Sequence, residues 1–149
     1  MNVNRRVFVD TNVLLYSIDA TDPVKQAAAH DWLEFLWQDG SGRISWQVLH
    51  EFFVNAVRKM KIPSEDVRPV ETLTWWSPVD SSLGLLRRAW YWTDTAGVPY
   101  WDGLILAAAE SSGCELLLSE DFQSGRRFDS ILVVNPFQVA PGQASTLTV

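Results

Sequence analysis

Apolar residues fall into two rhythms along this chain. Short unbroken runs, "VFV" within residues 5–9, "ELLLS" at 115–119 and "ILVV" at 131–134, have the length of buried strands. Longer stretches repeat at helical spacing between start and stop signals. Asp10 ends the first strand, and Asp10 or Thr11 caps a short helix running through Ile18. "TDPVKQAAAHDWLEFLWQ" (21–38) has Thr21 or Asp22 as cap, Pro23 in its first turn and "DG" as its stop. "RIS" (43–45) reads as a brief strand, and "WQVLHEFFVNAVRKM" (46–60) as an amphipathic helix ended before Pro63. The segment 64–76 opens on Ser64 as a cap, and Pro69 limits or kinks the rest of it. "SPVD" (77–80) reads as a small strand, 81–97 and 100–113 as helices closed by glycine, and 138–149 as a polar, frayed end.

Short apolar strands alternating with helices predict an α/β/α sandwich around a short, mostly parallel sheet. The expected organisation is one domain over 1–137 and a polar tail over 138–149.

Composition narrows the function classes. Twelve Lys and Arg against eighteen Asp and Glu leave a net charge of −6, which argues against nucleic-acid binding by general positive charge. Cys114 has no partner for an internal disulfide, so a reducing cytoplasm fits. Arg5-Arg6 before an apolar run faintly imitates a signal peptide, but Asp10 and Asn12 interrupt that run and no cleavage site comes after it. No uncharged run approaches the ~18 residues of a membrane span.

The acidic residues carry the chemistry. In open parallel sheets, functional groups collect beyond the carboxyl ends of strands. Asp10 follows the first strand, Asp121 follows "ELLLS" by two residues, and Asp102 opens a helix that is apolar from Leu104 to Ala109. Taken singly, Asp102 is a helix cap or dipole partner and Asp121 a turn residue. Taken together, several carboxylates on one rim repel unless a cation lies between them, and an all-oxygen donor set suits magnesium or manganese. Glu51 is not promoted by spacing. Val48, Leu49, Phe52, Phe53, Ala56, Val57 and Met60 form one face of its helix, and Glu51 lies nearly opposite with Gln47, Asn55 and Arg58, in what reads as a solvated stripe.

"FVDTNVLLY", "HEFF", "YWDGLILAAA" and "LLLSEDF", in this order, resemble the motifs of the PIN-domain nucleases, and in size and layout the VapC-type toxins of bacterial toxin–antitoxin pairs. The resemblance runs to about Phe137. It implies that Asp10, Glu51, Asp102 and Asp121 are the catalytic, metal-holding acids, with Asn12 and Ser119 ordering them. It further implies hydrolysis of RNA phosphodiesters with Mg²⁺ or Mn²⁺, a cognate antitoxin and a homodimer. Arg58, Arg126 and Arg127 are candidate phosphate contacts, each equally readable as a solvated arginine.

Other readings are weaker. "HE" at 50–51 lacks the second histidine of a helical zinc-protease motif, and two histidines with one cysteine make a zinc site poor. A haloacid-dehalogenase-like phosphatase would need a second acid where Asn12 stands. A PIN fold that binds RNA or protein without cutting is the non-enzymatic alternative, and no acid is missing to suggest it.

One surface feature bears on partners. In the 23–38 helix, Val24, Ala27 to Ala29, Trp32, Leu33, Phe35, Leu36 and Trp37 cover far more than the ~100° stripe a single core-facing side requires. Trp75-Trp76 and Trp90-Tyr91-Trp92 add aromatic density suited to interface anchors or to a tryptophan-rich core. The expectation is a hydrophobic groove along that helix for an amphipathic antitoxin segment.

Overall fold

The computed structural model describes residues 5–147. Among these, five strands form one sheet in the order β2-β1-β3-β5-β4, and six α-helices surround it. β1 (Val7–Val9) pairs in parallel with β2 (Gly42–Arg43) on one side and β3 (Leu116–Leu118) on the other. β3 pairs in parallel with β5 (Ile131–Val134), and β4 (Arg127–Phe128) closes the edge antiparallel to β5. Every residue of β1, β3 and β5 is buried, so side chains on both faces of the sheet are covered, as continuous apolar strands require. The register Phe8↔Leu117↔Val133 sets the ends of these three strands level, with Asp10 and Ser119 each just beyond one of them.

The helices are α1 (Thr11–Ser17), α2 (Pro23–Asp39), α3 (Trp46–Arg58), α4 (Ser64–Val67), α5 (Leu83–Ala96) and α6 (Tyr100–Ser111). Their limits are set by local chemistry. The Asp22 side chain caps α2 by accepting from Lys25 N–H at 3.1 Å, and Gly40 ends it at φ 70°. Ser45 and Ser82 cap α3 and α5 in the same way. The helix α5 packs closely on α6: a β-carbon on Gly103 would lie 2.8 Å from the Ala89 carbonyl oxygen.

The structure corrects several expectations. Ser64 is the first residue of α4 and not its cap; its hydroxyl accepts from Arg68 Nε at 3.3 Å instead. After Val67 the chain tightens into a 3₁₀ helix (Arg68–Trp76), consistent with Pro69 removing a helical donor. The small strand at 77–80 shrinks to one parallel bridge between Ser45 and Val79. The edge strand β4, in the polar sequence around Arg127, carries no apolar signal and has no counterpart among the expected strands.

The carboxyl-terminal segment is not frayed over its described part, residues 138–147. Pro141–Thr146 forms a 3₁₀ helix, Ala144 is buried, and its carbonyl accepts from the Arg5 guanidinium at 3.1 Å. Val139 O accepts from the Trp32 indole at 2.8 Å. Residues 148 and 149 lie outside the described residues.

This segment also absorbs part of the apolar excess of α2. Trp32 is fully enclosed, whereas Val24, Phe35 and Trp37 stay exposed. The hollow between α2 and residues 136–143 is small, about 230 Å³. The tryptophans divide: Trp32, Trp76 and Trp92 belong to the core, and Trp37, Trp46, Trp75, Trp90 and Trp101 are exposed. No helix among the described residues is long and apolar enough to cross a membrane.

Candidate active site

Asp10 is placed by the strand before it and the helix after it. Its N–H donates to Leu118 O of β3 at 3.1 Å, fixing the residue just beyond the level strand ends. Its side chain then caps α1, Oδ1 accepting from Thr11 N–H at 2.8 Å. Oδ2 accepts from the Ser119 hydroxyl at 2.8 Å and from Asn12 Nδ2 at 3.3 Å.

The Asn12 amide reaches further. Nδ2 also lies 3.1 Å from Asp121 Oδ2 and 3.1 Å from Ser119 Oγ, and Oδ1 accepts from Glu120 N–H at 3.3 Å. Two N–H bonds therefore serve three acceptors, and one buried amide holds the carboxylates of Asp10 and Asp121 side by side. Ser119 is fully buried and accepts from Asp121 N–H at 3.1 Å while donating to Asp10. All these groups are supplied by the first turn of α1 and the residues just after β1 and β3.

On the other side, the Thr11 hydroxyl donates to Glu51 Oε2 at 2.9 Å. Gln47 Nε2 donates to Glu51 Oε1 at 2.9 Å and reaches Trp101 O at 3.5 Å, next to Asp102. Gln47, Glu51 and Asn55 are half-buried, so the stripe that reads as solvated faces protein along most of its length. Periodicity finds the face a helix turns to the core; it is blind to a second neighbour, here the start of α1. Arg58, at the end of the stripe, is exposed.

Burial and, after it, the neighbouring acids shape the electrostatics of the site. Burial pushes the Asp10 carboxyl up; the bonds from Ser119 and Thr11 pull it down, and the charges of Asp121 and Asp102 push it up again, to about 7. Asp102, in the first turn of α6, is raised by burial and then by Asp121 and Glu51. No side-chain cap bond is made at the start of α6, so Asp102 is no cap. The charges acting on Asp10 and Asp102 are all carboxylates.

Arg126 donates to Ala96 O at 3.0 Å, closing the end of α5, and lies over the Phe128 ring at 4.4 Å. Arg127 is exposed on the edge strand β4.

Sequence reasoning missed Thr11 and Gln47 as members of the site. Thr11 adjoins Asp10 but reads only as a cap, and nothing in the spacing links Gln47 to α6. A groove of about 1130 Å³ opens beside Glu51, walled by Trp46, Gln47, Leu83, Leu86 and Trp101.

Asp10, Glu51 and Asp121 are thus linked through Asn12, Ser119 and Thr11, and Asp102 is joined to them by the charges of Asp121 and Glu51 that act on it. A PIN-domain family model matches residues 7–129, spanning all of them. The chain belongs to the PIN-domain family. Among solved structures, this PIN domain is similar in fold to a toxin–antitoxin complex from Klebsiella pneumoniae, with a TM-score of 0.61 at 19% identity over 87% of this chain and 97% of that one. No curated protein matches the sequence.

Proposed function

We propose that this PIN domain is a metal-dependent endoribonuclease, the toxin of a toxin–antitoxin pair, with Asp10, Glu51, Asp102 and Asp121 as its catalytic acids. The observation that carries the reading is the buried Asp10 carboxylate, held by Ser119 and Asn12 and joined through the Asn12 amide to Asp121 and through Thr11 to Glu51. A fold that needed these residues only for caps and turns has no reason to gather them against their mutual repulsion.

Among the described residues no group of three or more Asp, Glu, His or Cys side chains forms a ready-made metal cage. The donor chemistry nonetheless fits: hard carboxylate oxygens whose mutual repulsion a divalent ion would relieve. Asp10, Asp102, Asp121 and Glu51 would hold Mg²⁺ or Mn²⁺. When bound, such an ion polarises water and offsets charge on the phosphate oxygens.

The chain's own residues supply orientation. Ser119 and Asn12 fix the Asp10 carboxylate through Oδ2, and Thr11 and Gln47 fix both oxygens of Glu51. The groove beside Glu51 offers an RNA strand a largely apolar wall on which an unpaired base stacks against Trp46 or Trp101. Arg58, Arg126 and Arg127 remain candidate phosphate contacts at the periphery. The cytoplasm is the proposed compartment.

The neighbour's description as a toxin–antitoxin complex supports an antitoxin partner for this chain, seated along the exposed apolar residues of α2. Exposed Trp90 and Tyr91 on α5 support a homodimer; sedimentation at micromolar concentration should show it, and monomer alone removes it. The purified protein should cut RNA with Mn²⁺ or Mg²⁺ and stop in chelator. Binding of RNA without cleavage would return the domain to the non-catalytic alternative.

A further inference from the structure

Lys25 stands in the first turn of α2, ninety-five positions from the acid it engages. Its Nζ donates to Glu120 Oε2 at 2.8 Å and lies 3.4 Å from Tyr16 Oη. The same ammonium sits 4.6 Å from the Tyr16 ring centre and 5.0 Å from that of Phe137. Elements α1 and α2, the turn after β3 and the turn after β5 all meet at this one group. Ordinary exposed ion pairs are loosely held and contribute little. Here both side chains are largely covered, at 33% and 22% exposure, and two aromatic faces restrict the ammonium further.

The position of Glu120 gives the contact its meaning. It lies between Ser119, which orients Asp10, and Asp121. Its N–H is held by Asn12 Oδ1 at 3.3 Å and its carboxylate by Lys25. Asp121 itself is exposed, and Asn12 Nδ2 is the hydrogen-bond donor to its carboxylate. The peptide that presents Asp121 therefore depends on its neighbours for its orientation. Glu120 also carries a fifth negative charge beside the cluster, yet it is not among the charges raising Asp10 or Asp102.

We propose that Lys25 is a positioning residue of the acid site: by holding Glu120 it fixes the turn that presents Asp121 and keeps Glu120 out of the carboxylate cluster. This rests on the nuclease reading. Groups that orient metal-binding residues change metal affinity or activity by about 10–100-fold when removed.

The test compares wild type with Lys25→Met, Glu120→Gln, the double variant and Lys25→Arg. Mn²⁺ titration is the first readout, and amide hydrogen exchange at Ser119 to Asp121 in the metal-free protein is the second. Lys25→Met should weaken Mn²⁺ binding by about 10-fold and speed exchange at Asp121 by a similar factor. Lys25→Arg should restore most of both, because a guanidinium keeps the charge and the ring contacts. The double variant should be no worse than the poorer single one, since both singles break the same contact. Wild-type Mn²⁺ affinity and unchanged exchange in Lys25→Met, even with a lowered melting temperature, would overturn the proposal and leave the nuclease reading standing. Wild-type protein that neither binds Mn²⁺ nor cuts RNA would overturn the nuclease reading and the metal role of Lys25 with it.

Discussion

Replacing Asp10 by asparagine removes a charge that the metal-free fold holds at a cost, and the cost can be worked from its surroundings. The carboxyl titrates at 3.8 in the absence of interactions and is pushed up to about 7 in the folded chain. At about 1.4 kcal/mol per pH unit, the difference corresponds to about 4 kcal/mol. Because the folded value lies above the unfolded one, the native state binds the extra proton between about pH 4 and about pH 7. This contribution to stability is fully present below the lower value and is lost as pH rises through the upper one.

Asparagine carries no such dependence. It keeps an acceptor for Thr11 N–H but turns an amide donor toward Asn12 Nδ2 and the Ser119 hydroxyl. That mismatch costs about 1–3 kcal/mol, nearly independent of pH. The stability of Asp10→Asn relative to wild type should therefore climb with pH from whatever offset the mismatch sets. About 2 kcal/mol of the climb falls between pH 5.5 and pH 8.5, a range clear of the isoelectric point near 4.8. Urea unfolding in chelator across that range measures it directly. For a domain of this size the relative melting temperature should rise by about 4–8 °C. A difference flat with pH to within about 0.5 kcal/mol would refute the burial and repulsion assigned to Asp10.

Three further outcomes rest on particular contacts. Gly103→Ala places a β-carbon 2.8 Å from the Ala89 carbonyl oxygen; backbone cannot yield cheaply, so thermal unfolding should show a loss of about 1–3 kcal/mol. Trp32→Phe removes the indole donor to Val139 O and should make the 138–147 segment more susceptible to limited proteolysis, with the core otherwise intact. Unaltered cleavage would mean that contact does not hold the segment. Glu51→Gln removes one of the charges that raise Asp102, so the Asp102 carboxyl should titrate closer to its ordinary range in an NMR titration; an unmoved midpoint would separate Glu51 from the cluster.

The main elements of the fold are legible because strand and helix each leave a local trace: unbroken apolar runs at 7–9, 116–118 and 131–134, and end signals such as the Asp22 cap and the closing Gly97. Features fixed by distant partners leave none. Arg127–Phe128 becomes a strand only because β5 offers an edge, and the polar end of the chain is ordered by Trp32 and Arg5, more than a hundred residues away. The acids divide the same way. Asp10 and Asp121 can be placed on one rim from their strands, whereas helical periodicity argues against Glu51, and only the family resemblance proposes it. Its contact with Thr11 spans forty positions, and the Gln47–Trp101 link spans fifty-four. The apolar breadth of α2 misleads in part, since one of its tryptophans is matched to a segment that composition marks as polar.

The most direct measurement of the central claim is single-turnover cleavage of a labelled RNA by wild type, Asp10→Asn and Asp121→Asn, purified identically and assayed with Mn²⁺ and with chelator. Wild type should cut only with the metal, and both variants should lose activity by at least about 100-fold while remaining folded, since an amide is a poorer ligand than a carboxylate. Full cleavage by Asp10→Asn, or cleavage by wild type that chelator leaves untouched, would contradict the account.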